Sequence, residues 1–208
     1  MDDFPLVETL MRLNKGKYLY QPVDDPRVKD FQVQRKDYPQ RLAFILKHVA
    51  GATALDIGCC NGYFSRELTK RGYKVTAIDD HPERLAVTRY LSRINNLVII
   101  CETVSWQTYL DQPVHFNNIL FLSVFHHDLF LSVDQAFKDL QKFRGKADRV
   151  FLEVPVTTRT PGWIKIKSIQ TYHFSEDQFK HKLEEAMEMK VTDVWHGKRP
   201  IFLLEAGI

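Results

Sequence analysis

The chain has 208 residues, 44% hydrophobic and 12% aromatic, enough to bury one sizeable core. Its 29 basic and 26 acidic residues leave a formal charge of +3 with no long run of one sign, too weak by itself to argue for a nucleic-acid partner. No stretch approaches the roughly 18 apolar residues of a membrane span, and the start, "MDDFPLVETL", lacks a signal peptide's basic segment, so a cytoplasmic chain that stays off the membrane is expected.

A first helix is expected over about residues 3–13, followed by the Pro- and Asp-containing connection "QPVDDPRVKD". A second helix is read in "DYPQRLAFILKHV", with Asp37 as N-cap and Pro39 in the first turn. From there strands and helices alternate. Strand "TALDIG" leads to helix "YFSRELTKRG", strand "KVTAID" to helix "PERLAVTRYLSRI", and strand "LVIICE" to a short irregular piece around Trp106. Strand "NILFLSV" precedes helix "SVDQAFKDLQKF", and strand "RVFLEVP" runs through a long loop to helix "SEDQFKHKLEEAMEM". Both helices open on a Ser with Gln three residues later, at Ser132/Gln135 and Ser175/Gln178. Two final β runs, "KVTDVWH" and "PIFLLEA", lie so close that they must pair antiparallel. The expected fold is α/β, a doubly wound, mostly parallel seven-stranded sheet with a C-terminal antiparallel hairpin. Residues 1–40 read as a helical appendage or lid on a domain spanning 41–208. The pattern carries no signal for an oligomeric state.

Open sheets of this kind bind ligands beyond the carboxyl ends of their strands. The stretch "ALDIGCCNGYFS" stands at such an end. Glycines at Gly58 and Gly62 leave backbone N–H groups open to a ligand, and the following helix directs its positive end the same way. Their spacing, four apart with no Lys following, fits neither the dinucleotide fingerprint nor the P-loop. Cys59, Cys60 and Cys101 form neither a CxxC pair nor an even framework, and read as reduced, packed thiols. No His, Cys and carboxylate cluster has metal-site spacing, so no metal is expected.

At these residues the sequence resembles the class I S-adenosylmethionine-dependent methyltransferases. Their first motif, acid, apolar, Gly, x, Gly, x, Gly, is matched by Asp56, Ile57, Gly58, Cys59, Cys60, Asn61 and Gly62, with cysteine in place of the middle glycine. The resemblance implies a Rossmann-like fold, S-adenosyl-L-methionine as cofactor, and a loop from Asp56 to Gly62 around its methionine part. It implies that Asp79, closing the next strand, takes both ribose hydroxyls, as a carboxylate's two oxygens can. It points to Glu102, with Thr103 beside it, near the adenine, although Glu102 reads equally as a solvated strand-end acid. The segment "NILFLSVFHHDL" then runs under the methyl-donor sulfur, with Ser123 nearest the cofactor. A narrower similarity joins "DIGCCNGYFS", "LSVFHH" and "VFLEVP" to the methyltransferase part of O-antigen chain-terminating methyltransferase–kinases, which act on a terminal sugar or its phosphate.

Methyl transfer needs an acceptor atom in line with the sulfonium and preferably deprotonated. His126 and His127, placed at the end of the fourth strand, are the candidate bases; each reads equally as a helix cap or a ring packed under the cofactor. Glu153, ending the fifth strand, is a second base or substrate anchor, or a structural acid. Tyr18, Tyr20, Arg35, Tyr38, Arg159, Trp163 and Tyr172 can together form a lid suited to an anionic or sugar acceptor. The function expected is methyl transfer to an oxygen of a small-molecule or glycan acceptor. The alternatives are an RNA methyltransferase, against which the acids interspersed in "KIKSIQTYHFSEDQFKHK" argue, and a cofactor-binding protein without catalysis.

Overall fold

The structure, a computed structural model, describes residues 4–155 and 172–207. It is an α/β fold, a mostly parallel seven-stranded sheet flanked by helices and ending in an antiparallel hairpin. Two compact units divide it, residues 1–46 with 52–106, and residues 47–51 with 107–208.

The first unit opens with α1 (Leu6–Asn14), which ends on Lys15 in the left-handed region at φ 54°. Two very short strands, β1 (Tyr18–Leu19) and β2 (Gln32–Val33), pair in parallel around a single 3-10 turn, Pro26–Val28. That turn is capped by Asp25, whose side chain accepts the Arg27 N–H. Next comes α2 (Tyr38–His48), preceded by Asp37, whose carboxylate is taken by Arg35. The repeating part follows as β3 (Thr53–Ile57), α3 (Tyr63–Thr69), β4 (Lys74–Asp79), α4 (Pro82–Ile94) and β5 (Ile99–Thr103). Its strands lie in the order β5-β4-β3, all parallel. β3 and β4 are buried along nearly their whole length, as parallel strands covered on both faces must be, and their apolar runs supply that burial.

The N-terminal residues share this unit's core. Leu6, Leu10, Leu19, Val28 and Phe31 form one buried cluster with Val87 and Leu91 of α4, while Phe4 stacks on Tyr90 at 4.8 Å. Each such side chain stabilises the unit by about 1.5–3 kcal/mol. The region set apart in the sequence as an appendage is therefore packed onto a helix of the repeating part.

The second unit contains β6 (Phe116–Leu122), α6 (Phe125–Leu131), α7 (Val133–Asp139) with a 3-10 continuation to Phe143, and β7 (Ala147–Glu153). It continues with α8 (Glu176–Met187), β8 (Met189–Trp195) and β9 (Ile201–Ala206). The strand order is β6-β7-β9-β8, with β6 and β7 parallel and the other pairs antiparallel. Its core is aromatic, with Phe121, Phe125, Phe143, Phe151, Phe179 and Phe202 all fully buried. The capping box of Ser175 and Gln178 is complete, and Ser132 caps α7 through the Gln135 N–H. One expectation changes here. The strand holding Ser123 stops at Leu122, and His126 and His127 lie in the first turn of α6. The left-handed Ser123 breaks the strand, and the chain turns helical two residues later. The piece at Trp106 is also helical, as α5 (Trp106–Leu110).

Candidate functional site

In the first unit, the turn after β3 takes the left-handed conformation three times in five residues, at Gly58 (φ 64°), Cys60 (φ 56°) and Gly62 (φ 68°). Only glycine does so freely, and at Cys60 the conformation costs about 1–2 kcal/mol. Neighbouring groups hold it. The Cys60 N–H donates to Asp79 Oδ2 at 2.9 Å, the Thr88 hydroxyl donates to the Cys60 carbonyl at 3.0 Å, and Arg84 Nη1 donates to its sulfur at 2.9 Å. Gly62 has another reason to be glycine, because a Cβ there would lie 2.5 Å from Thr88 Cγ2. What approaches Gly62 is α4, so helix packing requires a residue without a side chain here.

Asp56 is fully buried and accepts the Ser65 hydroxyl at 2.5 Å. Burial pushes its carboxyl up to about 6, against the pull of that hydrogen bond. It braces the loop from beneath. Asp79 ends β4 with each oxygen accepting one backbone N–H at 2.9 Å, Oδ2 from Cys60 and Oδ1 from His81. Burial raises its pKa as well. Each oxygen keeps a further lone pair, so the carboxylate is fixed by the backbone and still able to accept two hydroxyls. In the β4–β5 register Thr103 is the partner of Asp79 and Glu102 the partner of Ile78, which puts Thr103 on the face of Asp79 and Glu102 on the other. Both are exposed.

Asn61 is entirely buried, and neither its amide nitrogen nor its amide oxygen has a hydrogen-bond partner among the described residues. An orphaned amide at the centre of the loop is a place where a polar ligand fits, since a buried donor and acceptor left unsatisfied together cost several kcal/mol. The loop and Asp79 thus suit a molecule with a polar end and a vicinal diol.

The aromatic and basic residues expected to form a lid fall into separate groups. In the first unit Arg35 is buried, clamps both Asp37 oxygens at 2.9 Å and donates to the Tyr20 hydroxyl at 3.2 Å. Tyr38 meets Tyr63 edge-on at 5.3 Å, and Tyr18 is exposed. In the second unit Tyr172 is buried, donates to the Pro155 carbonyl at 3.0 Å and stacks with Phe174 at 6.0 Å. Burial pushes its phenol up. Arg159 and Trp163 lie outside the described residues.

The second unit also brings expected residues together in two pairs, Ser123 with Glu153 and His126 with His127. Ser123, at φ 61°, donates its N–H to the Glu153 carbonyl at 3.1 Å and its hydroxyl to the Glu153 carboxylate. Glu153 is completely buried. The rings of His126 and His127 lie 4.1 Å apart. His126 is buried and meets Phe130 edge-on at 5.9 Å, and Phe130 in turn meets Tyr172, so this ring row ties α6 to Tyr172. His127 is exposed. Among the described residues no three His, Cys, Asp or Glu side chains gather as a metal site, and no helix is long and apolar enough to cross a membrane.

Sequence reasoning missed Gln21, Arg66, Arg84 and Thr88. Arg66, Arg84 and Thr88 lie in helical patterns where basic and hydroxyl side chains usually meet water, and Gln21 precedes a proline in an irregular stretch. No local signal marks any of them.

Residues 55–151 match the family model of a methyltransferase domain. A curated relative, the ubiquinone biosynthesis O-methyltransferase of Xylella fastidiosa (strain 9a5c), is 34% identical over 92 residues, 43% of this chain and 37% of that protein. Among solved structures, WbdD, a bifunctional kinase-methyltransferase, aligns over 96% of this chain and 47% of its own with TM-score 0.74 and 21% identity. An S-adenosylmethionine-dependent methyltransferase from Clostridium acetobutylicum aligns over 84% of this chain and 94% of its own, with TM-score 0.65 and 12% identity. The chain thus spans a little over a third of that curated relative's length and about half of WbdD's.

Proposed function

We propose that the chain is a class I S-adenosylmethionine-dependent methyltransferase and that it transfers a methyl group to an oxygen of a small-molecule or glycan acceptor, a reading supported by the methyltransferase-domain match over residues 55–151. When bound, the cofactor supplies an activated methyl group, so the protein's task is to hold, align and deprotonate. The observation that carries the reading is Asp79, whose oxygens are each fixed by one backbone N–H and each able to accept one ribose hydroxyl. Thr103 shares the face of Asp79, which supports its assignment to the adenine side. Asn61 offers an unsatisfied donor and acceptor to the methionine part.

Oxygen as the attacked atom rests on the O-methyltransferase that is similar over 92 residues, and a sugar or phosphate acceptor on the resemblance of "DIGCCNGYFS", "LSVFHH" and "VFLEVP" to the O-antigen methyltransferase–kinases. His127, exposed in the first turn of α6, is the group we assign to remove the acceptor's proton. His126, buried against Phe130, holds the neighbouring ring in place. Glu153, tied to Ser123, anchors an acceptor hydroxyl from the end of β7.

The test is transfer from isotopically labelled S-adenosylmethionine to a panel of phenols, free sugars, sugar phosphates and total RNA, with products identified by mass spectrometry. Label on an oxygen of a phenol or sugar is expected. Label confined to RNA, or to nitrogen, would overturn the acceptor reading.

A further inference from the structure

Tyr172 is 4% exposed and carries a hydroxyl, which costs free energy to bury unless it is bonded. It donates to the Pro155 carbonyl at 3.0 Å. Pro155 follows Glu153 by two residues, past the last β7–β9 pair, Glu153 with Ile201, so Tyr172 takes hold of the chain just beyond the paired part of β7. Burial also pushes the phenol up, and it stays a donor through the neutral range.

The ring of Tyr172 faces the other way, toward α6. It lies 5.8 Å from Phe130, Phe130 meets His126 edge-on at 5.9 Å, and the His126 ring lies 4.1 Å from that of His127. Phe125 and Leu129, both fully buried, hold one side of α6 to the core. His126 and Phe130 follow them by one position each, about 100° round the helix, so the ring row sets how the helix is rolled on that core. Two routes therefore join α6 to the end of β7. One runs from His126 back along the chain to Ser123, whose N–H and hydroxyl both go to Glu153. The other runs from His126 through Phe130 and Tyr172 to Pro155. Together they close a circuit inside the second unit, and a segment tied at two places is fixed in angle as well as in distance.

We propose that Tyr172 is a positioning residue for methyl transfer: by bonding Pro155 and packing on Phe130 it sets the His126–His127 pair relative to Glu153. The base and the acceptor anchor are then held for one substrate. The inference rests on the roles given above to His127 and Glu153. It moves Tyr172 from the lid expected in the sequence to the scaffold behind the site.

The experiment is NMR of the full chain with carbon-13-labelled histidine rings, for the wild type, Tyr172→Phe and Tyr172→Leu. The His126 and His127 signals are identified by their loss in His126→Gln and His127→Gln. Tyr172→Phe keeps the ring and loses the bond, and Tyr172→Leu loses both. The two signals should shift in the first variant and further in the second, while those of His48, His81 and His115 stay in place. In rate assays on phenols, free sugars and sugar phosphates, Tyr172→Phe should lose about tenfold in kcat with KM for S-adenosylmethionine within about twofold. Unmoved His126 and His127 signals in either variant would overturn the proposal, as would wild-type kcat in Tyr172→Phe. Shifts at every histidine would make Tyr172 a general stabiliser and also overturn it. Turnover that survives His127→Gln would refute the base, a separate failure, because the spectra read the ring positions without an acceptor.

Discussion

Cys60 and Ser123 pose the same problem in different units. Each follows a strand of the sheet, and each is a non-glycine residue held in the left-handed region, at φ 56° and 61°. The solutions differ. Cys60 is buried and braced at three of its atoms by separate residues, its N–H by Asp79, its carbonyl by Thr88 and its sulfur by Arg84. Ser123 is half-buried and gives both its N–H and its hydroxyl to Glu153. Strained backbone persists where its surroundings over-determine it. Around Cys60 three separate residues form a frame that no single brace carries. Around Ser123 both bonds end on one residue, so a change at Glu153 reaches both of them.

The largest effect should come from removing the shared member of the frame. Asp79→Ala deletes two charge-assisted hydrogen bonds to the ribose, each worth roughly 1.5–3 kcal/mol, and the acceptor of the Cys60 N–H. Affinity for S-adenosylmethionine should fall by about 10²- to 10⁴-fold in a calorimetric titration. Affinity within about twofold of wild type would remove Asp79 from the site.

Next in size is the chemical step in the second unit. Gln at position 127 keeps a polar outline and cannot take a proton near neutral pH. His127→Gln should lower turnover roughly 10²- to 10⁴-fold with cofactor affinity nearly unchanged, and the wild-type rate should fall at acid pH. If the true acceptor is a phosphate or carboxylate already ionised, the variant will keep most of its turnover, and the base assignment fails.

The contrast also marks how far the sequence reaches. The β3–α3–β4–α4–β5 rhythm was legible because buried parallel strands read as unbroken apolar runs, and Asp56, Gly58 and Asp79 sit at their ends. The two-residue strands β1 and β2 were not, since two residues carry no periodicity. The helical turn holding His126 and His127 was hidden because apolar residues continue from β6 into α6 without a break, and the only interruption is a serine. The braces were hidden for another reason. Arg84 and Thr88 take their meaning from Cys60, far from them in sequence, and Arg66 from joining the loop to the distant Pro22.

A smaller effect tests whether Asp56 braces the frame as a buried acid. Its folded pKa, about 6, lies above the ordinary value near 3.8, so the folded state holds its proton more tightly than the unfolded chain. That contribution favours folding below about pH 4 and is lost as pH rises through about 6. About two pKa units correspond to about 3 kcal/mol. Asp56→Asn keeps an oxygen for the Ser65 hydroxyl and has nothing to titrate. Relative to wild type, it should gain about 3 kcal/mol of unfolding free energy between pH 4 and pH 7, read by urea denaturation at each pH. A difference that stays constant would mean Asp56 titrates normally.

The smallest effect bears most directly on the two left-handed residues. Glycine at either position relieves about 1 kcal/mol of backbone strain, so the sign of the net change reports what the side chain was doing. At Cys60 the loss is a buried sulfur and its contact with Arg84, worth about as much as the strain relieved, while the N–H and carbonyl braces survive. Cys60→Gly should therefore leave stability and S-adenosylhomocysteine affinity close to wild type. At Ser123 the loss is the hydroxyl donated to a fully buried carboxylate, a hydrogen bond to a charged group worth roughly 1.5–3 kcal/mol against about 1 kcal/mol of relief. Ser123→Gly should be destabilised by about 1 kcal/mol in urea denaturation. If Cys60→Gly proves the more damaging of the two, the cysteine has a role beyond filling the turn and the frame is less redundant than its three braces imply. If Ser123→Gly is neutral or stabilising, Glu153 does not depend on the serine, and the second site is braced as firmly as the first.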